Sequence, residues 1–201
     1  MSWPACWPGA AVLRLHALGA AGGRGDARVT RFRHPLPTDL VVEHYFMLVA
    51  CAERDGLIAA CTRLASFEPI SAELARKHRV AATVDAALMS ATRPGATLGA
   101  IFAQGQAAYE ELGFPDQWRM HHQGGLIGYL PREMLALPGE QTAAAANQAF
   151  AWNPSVAGAK SEDTMLCTND GPQLLAGPTD WPTLTAEWKG LQIARPDILV
   201  L

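Results

Sequence analysis

Asp55-Gly56, set between the apolar runs Val41–Ala52 and Leu57–Leu64, constrains this chain more than any other feature. An Asp-Gly pair readily adopts the positive-φ backbone of a two-residue turn. The runs on either side are rich in β-branched, aromatic and aliphatic residues, so the segment predicts a β-hairpin. Runs this apolar predict two largely buried strands, which need covering layers. The next segments supply them. Pro69 opens a helix, since proline is tolerated in a first helical turn. Its apolar stripe is Ile70, Leu74, Ala81, Val84 and Leu88, and its wet face is Glu73, Arg76, Lys77 and Arg79. The helix stops before Arg93-Pro94-Gly95, and Thr97 caps a second one. There Leu98, Ile101, Phe102, Tyr109 and Leu112 share one face, and Gly113 is placed to end it.

Upstream, Gly22 to Asp26 reads as a turn, Arg28–Arg33 as a short strand, and His34-Pro35-Leu36-Pro37 as its stop. From Trp118 onward the pattern is short strands and turns: Gly124–Tyr129, Gln148–Trp152, Thr164–Cys167 and Gln173–Leu175. A hairpin, two helices and then several strands make an α+β domain. A length of 201 residues suits one domain, divided here into an N-terminal extension over 1–27 and a single domain over 28–201.

Composition excludes several functions. Charged residues are 17% and hydrophobic ones 49%, which permits a sizeable core and argues against disorder. The net charge of −3, with no Lys/Arg stripe, argues against a nucleic-acid partner. No run of ~18 apolar residues is present, so no membrane partner is expected. The apolar first 23 residues lack a basic start and are broken by Pro4, Pro8, Arg14 and His16, unlike a signal peptide. Cys6, Cys51, Cys61 and Cys167 stand far apart with no CxxC pair, so they read as reduced thiols of a cytoplasmic protein.

Four local sequences carry a resemblance. They are Arg33-His34-Pro35-Leu36-Pro37-Thr38, Gly56 through Thr62-Arg63, Arg93-Pro94-Gly95-Ala96-Thr97, and Asn153-Pro154 through Glu162-Asp163-Thr164. In this order they resemble the segments of the pita-bread family, the creatinase, aminopeptidase P, prolidase and methionine aminopeptidase metallopeptidases. The resemblance implies a curved antiparallel sheet with helices on its outer face, here shortened at the N-terminus. It also implies apolar surface left uncovered where helices are missing, and hence a homo-oligomer or a partner.

The family's relatives hold two metal ions with two Asp, one His and two Glu, because paired hard cations need charged oxygen ligands. Read across one at a time, those positions are Val49, Ala60, Gly125, Asn153 and Glu162, so only Glu162 is retained. A register shifted by three places His122 at the histidine position instead. Either alignment implies a degenerate site with no cofactor, or at most one divalent metal ion.

Other polar residues remain candidates. His34 falls where the family keeps a histidine near the reacting group, and it also fits a plain turn before Pro35. His121 aligns with an outer, substrate-side histidine. His121 and His122, as neighbours on a strand, would point to opposite faces, so only one would face a cleft. Arg132-Glu133 stands where relatives have His-Glu or His-Asp; Arg132 would hold a carboxylate or phosphate, or pair with Glu162. Arg63, Asn153 and Lys160 are further binding candidates, and Asn147-Gln148 with Trp152 offers an amide-rich, aromatic wall. Ser66, Ser155 and Ser161 lack a Gly-x-Ser-x-Gly elbow, and Cys61 reads as a small buried residue.

Three functions fit. The first is a peptidase-like protein that no longer catalyses and binds a small molecule, peptide or partner. The second is a metal-independent, creatinase-like C–N hydrolase using His34, His121 or His122, and Glu162. The third is a single-metal Xaa-Pro peptidase built on His122, Glu162 and His34.

Overall fold

The computed structural model describes residues 12–18, 25–33, 42–175 and 180–201, with side chains from residue 28 onward. In chain order the first elements are β1 (Val12–Leu18), α1 (Gly25–Arg31), β2 (Tyr45–Arg54) and β3 (Leu57–Ser66). Helices α2 (Ala72–Ala91) and α3 (Leu98–Glu111) come next, and then strands β4 (Gly124–Ile127), β5 (Met134–Leu135), β6 (Ala149–Trp152), β7 (Ser155–Val156) and β8 (Ala159–Lys160). The chain ends with β9 (Asp163–Thr168), β10 (Gly171–Leu174), β11 (Thr183–Trp188), β12 (Leu191–Pro196) and β13 (Leu199–Val200).

The expected hairpin is β2-β3. Asp55 and Gly56 have φ of 52° and 82°, the positive pair that a two-residue turn needs. The turn sets the register, pairing Val49 with Thr62, Cys51 with Ala60 and Glu53 with Ile58. The strands are less buried than their apolar runs predict. Inward residues of β2 alternate with half-buried ones, and Leu57 at the tip of β3 is exposed. This is one-sided alternation rather than a strand covered on both faces.

Both long helices form where the spacing places them. Ser71, not Pro69, begins α2: its hydroxyl accepts from the Leu74 N–H at 3.1 Å, satisfying one of the open donors of the first turn. Thr97 does the same for α3 through Ala100 at 3.2 Å. Instead of the strand expected over 28–33, residues 28–31 are the second half of α1 (Gly25–Arg31), and 32 and 33 follow it. The apolar residues there, Val29 and Phe32, are three apart, which is a helical spacing rather than a strand alternation. Val29 is buried with Tyr45, Met47 and Val49.

Strands β1-β2-β3-β13 form one sheet and β10-β9-β6-β4-β5 another. The two meet along β3 and the start of β9. Thr62 N–H donates to the Glu162 carbonyl at 2.9 Å, and the Thr164 hydroxyl accepts from Ala60 N–H at 2.8 Å while donating to Ala60 O at 3.0 Å. The main core joins α2 and α3 to Phe150, Trp152, Met165 and Trp188. Trp188 belongs to a hairpin, β11-β12, beyond the last strand expected from the sequence; its turn uses Lys189 and Gly190 at φ of 46° and 89°.

Candidate functional site

Alternation along β2 turns Val49, Cys51 and Glu53 to one face, and the antiparallel register brings Ile58 of β3 beside them. These four residues form one wall of a cleft of about 410 Å³. The opposite side comes from His122, just ahead of β4, and from Tyr129, Pro131 and Arg132 on the loop between β4 and β5. Asn153, Lys160 and Glu162 complete the floor.

Glu162 dominates that floor. It is 2% exposed and has three side-chain partners. Lys160 Nζ lies 2.7 Å from Oε2, Arg132 donates to Oε1 at 3.0 Å, and the Thr62 hydroxyl donates to Oε2 at 2.7 Å. Burial alone would push the carboxyl pKa up; Lys160, Arg132 and these hydrogen bonds outweigh burial and bring it down to about 2. Lys160 is itself as buried as Glu162. Beneath them Asn153 is 2% exposed, and its Oδ1 has no hydrogen-bond partner among the described residues.

His122 lines the cleft, while His121 does not. Neither lies on a strand, however: β4 begins at Gly124, and the two rings stack with centroids 4.2 Å apart instead of diverging. The Gly124 N–H donates to His122 Nδ1 at 3.3 Å. With Nδ1 accepting, a neutral imidazole carries its proton on Nε2.

The remaining candidates divide sharply. Val49 faces the cleft, but Ala60 packs below it with Ile127 and Ala151 between the sheets. Gly125 has room for no side chain: at φ 151° a Cβ would sit 2.1 Å from the Met134 carbonyl oxygen. Arg63 does not join the cleft residues, because it is one position out of phase with Thr62. It pairs with Asp163 at 2.9 Å. Glu133 braces its own loop, with Oε1 accepting from the N–H groups of Tyr129 and Leu130 at 2.8 and 3.1 Å. Trp152 is core, donating from Nε1 to the Thr92 hydroxyl at 3.0 Å. Asn147 and Gln148 form a turn, and neither lines the cleft. His34 lies outside the described residues.

Sequence reasoning missed Cys51, Glu53, Ile58, Tyr129 and Pro131. The first two were within reach, since i+2 and i+4 from Val49 share its face of β2. Tyr129 and Pro131 depend on how a loop folds over the sheet, which no local pattern encodes. Burial pushes the Cys51 thiol pKa up, reinforced by Glu162, and takes Cys61 to about 11. Neither thiol is an activated nucleophile.

Next to the floor lies a second buried network. Asp163, pointing away from the cleft, shares Arg195 of β12 with Asp85 of α2, at 3.0 and 2.7 Å, and Ser161 donates to Asp85 at 2.6 Å. Arg195 and Asp85 are fully buried. These contacts tie the C-terminal hairpin to the helix layer behind the site.

Among the described residues no helix is long and apolar enough to cross a membrane. No cluster of three or more His, Cys, Asp or Glu with metal-binding geometry occurs among them either. No curated protein matches the sequence. Solved structures do match the fold. An X-Pro aminopeptidase from Thermotoga maritima superposes with a TM-score of 0.70 at 16% identity, covering 95% of this chain and 49% of its own. A prolidase from Pyrococcus furiosus also gives 0.70 at 16% identity, covering 82% and 49%. The dipeptidase PepE from Mycobacterium ulcerans gives 0.63 at 21% identity, covering 75% and 42%. The chain therefore spans less than half the length of each. The pattern of metallopeptidase family M24 matches residues 21–169, and the chain belongs to that family.

Proposed function

We propose that this M24 chain uses its cleft to bind a small molecule or peptide and carries no dinuclear metal centre. The observation behind this reading is the double engagement of Glu162 by Lys160 and Arg132. The other positions that the family resemblance assigns to metal ligands offer a valine, an alanine packed between the sheets, a glycine without space for a side chain, and an amide, of which only the amide oxygen could bind a metal. A pair of divalent cations needs several carboxylates for charge compensation. Among the described residues the cleft offers two carboxylates, Glu53 at the hairpin end and Glu162 on the floor; Glu162 is already compensated by an ammonium and a guanidinium, and an incoming cation would meet both. The donor set does not fit a metal pair.

Hydrolysis without metal finds little support among the described cleft residues. A general base works best with a pKa near the working pH, and Glu162 is held at about 2. His122 Nδ1 is occupied as an acceptor, which leaves Nε2 a donor rather than a base. The volume of about 410 Å³ suits a small ligand or a short peptide end.

Elemental analysis after incubation with Mn²⁺, Co²⁺ and Zn²⁺, run beside hydrolysis assays on Xaa-Pro dipeptides, tests this reading. The expected result is no stoichiometric metal and no turnover. Two ions per chain, or turnover abolished by a chelator, would overturn it.

A further inference from the structure

We infer that the cleft takes a small organic carboxylate, with Lys160 and Arg132 as its anchor. This rests on the reading above, that the cleft binds a ligand in place of a metal pair. The first observation is a surplus of donors. Lys160 Nζ has three N–H groups, and among the described residues its one hydrogen-bond partner is Glu162. Among the described residues Arg132 Nε is buried with no partner, while the two terminal nitrogens go to Glu162 and the Pro131 carbonyl. Buried donors without acceptors are costly, so an acceptor supplied by a ligand gains more here than on an open surface.

The second observation is charge. Two cations on one carboxylate leave the floor with a single surplus positive charge. Glu53 also lines the cleft, but it stands at the hairpin end beside Ile58, two residues beyond Cys51 along β2. A monoanion matches that surplus, and the geometry already shows how one is held: Glu162 is a carboxylate bound by both cations at 2.7 and 3.0 Å. The third observation is the wall. Val49, Ile58 and Pro131, with the Tyr129 ring, would cover a short apolar body attached to the acid. Within this arrangement Glu162 acts as an internal competitor for the same donors, which gives the inference an unusual sign: removing a cleft residue should tighten binding.

The test is a calorimetric titration of the protein with hexanoate, hexanamide and inorganic phosphate at pH 7, on wild type, Glu162→Gln and Lys160→Met. Hexanoate is expected to bind at least about tenfold more tightly than hexanamide or phosphate, the scale of a charge-assisted hydrogen bond. Lys160→Met should abolish the preference for acid over amide. Glu162→Gln, nearly isosteric, should bind hexanoate about tenfold more tightly than wild type, since both cations are released. Equal affinity for acid and amide, a preference for phosphate, or no binding of hexanoate by either wild type or Glu162→Gln overturns the inference. Metal content separates the two levels. Two ions per chain would sink the binding reading itself, whereas metal-free protein that ignores carboxylates would sink only the ligand class.

Discussion

Glu162→Gln also makes a quantitative prediction about stability, because its environment sets its protonation. In the folded chain its pKa is lowered from 4.5 to about 2. At about 1.4 kcal/mol for each tenfold in proton affinity, the ionised form contributes about 3 kcal/mol to folding at pH 7. The sign follows from the direction of the shift. A folded pKa below the unfolded one means stability that is complete above about pH 4.5 and is lost as the pH falls towards 2. Glutamine mimics the protonated side chain in shape while lacking the charge. The variant should therefore be about 3 kcal/mol less stable than wild type at pH 7, and the gap should shrink by about half at pH 3. Urea unfolding followed by fluorescence of the six tryptophans, repeated at pH 7, 5, 4 and 3, measures both quantities. A gap that is absent at pH 7, or unchanged at pH 3, would refute the claim that Lys160 and Arg132 hold Glu162 ionised.

Three further perturbations probe the frame around the site. Arg195→Leu leaves Asp85 and Asp163 buried without their shared cation, and urea unfolding should show a loss of about 3–5 kcal/mol; a loss under 1 kcal/mol would mean that the pair is not held by Arg195. Asp85 itself has its pKa raised by burial to about 6, despite Arg195 and Ser161, so its contribution is present below about pH 4 and is lost as the pH rises through 6. Wild type should accordingly lose stability between about pH 4 and 6, Asp85→Asn should lack that fall, and an unaltered profile in the variant would assign the fall elsewhere. Gly125→Ala forces a Cβ against the Met134 carbonyl and should cost more than about 2 kcal/mol in the same assay, whereas a neutral result would mean that β4 and β5 can move apart. For assembly, we propose that Leu57, Tyr129 and Leu130, all exposed and near the cleft mouth, support self-association; sedimentation should show a dimer, and a monomer at every concentration would refute this.

What the sequence determined by itself was whatever depends on near neighbours in the chain. Asp55-Gly56 encodes its own turn, the register follows from that turn, and the register puts Val49 on the face where the cleft lies. The spacing of Leu98, Ile101 and Phe102 encodes a helix, and Thr97 its start. The order of four short motifs already resembles the M24 family to which the chain belongs. The resemblance singles out Glu162, and the structure places it in the cleft with Asp163 turned to Arg63 and Arg195.

Tertiary structure decided what depends on residues far apart meeting. The Arg132–Glu162 pair spans 30 positions, and either Arg132 or Arg63 is a reasonable partner for Glu162 until the phase of β3 assigns Arg63 to Asp163. The stacking of His121 on His122 required knowing that β4 starts two residues later. Gly125 reads from sequence as a lost histidine; only the approach of the Met134 carbonyl reveals that no side chain fits there at all. Arg195 lies beyond every motif, in a hairpin whose partner Asp85 sits on α2. Local patterns specify backbone conformation through steric and hydrogen-bonding rules that act over a few residues. The placement of charges in a buried site follows instead from burial and Coulomb terms, which depend on distance in space and not on distance along the chain.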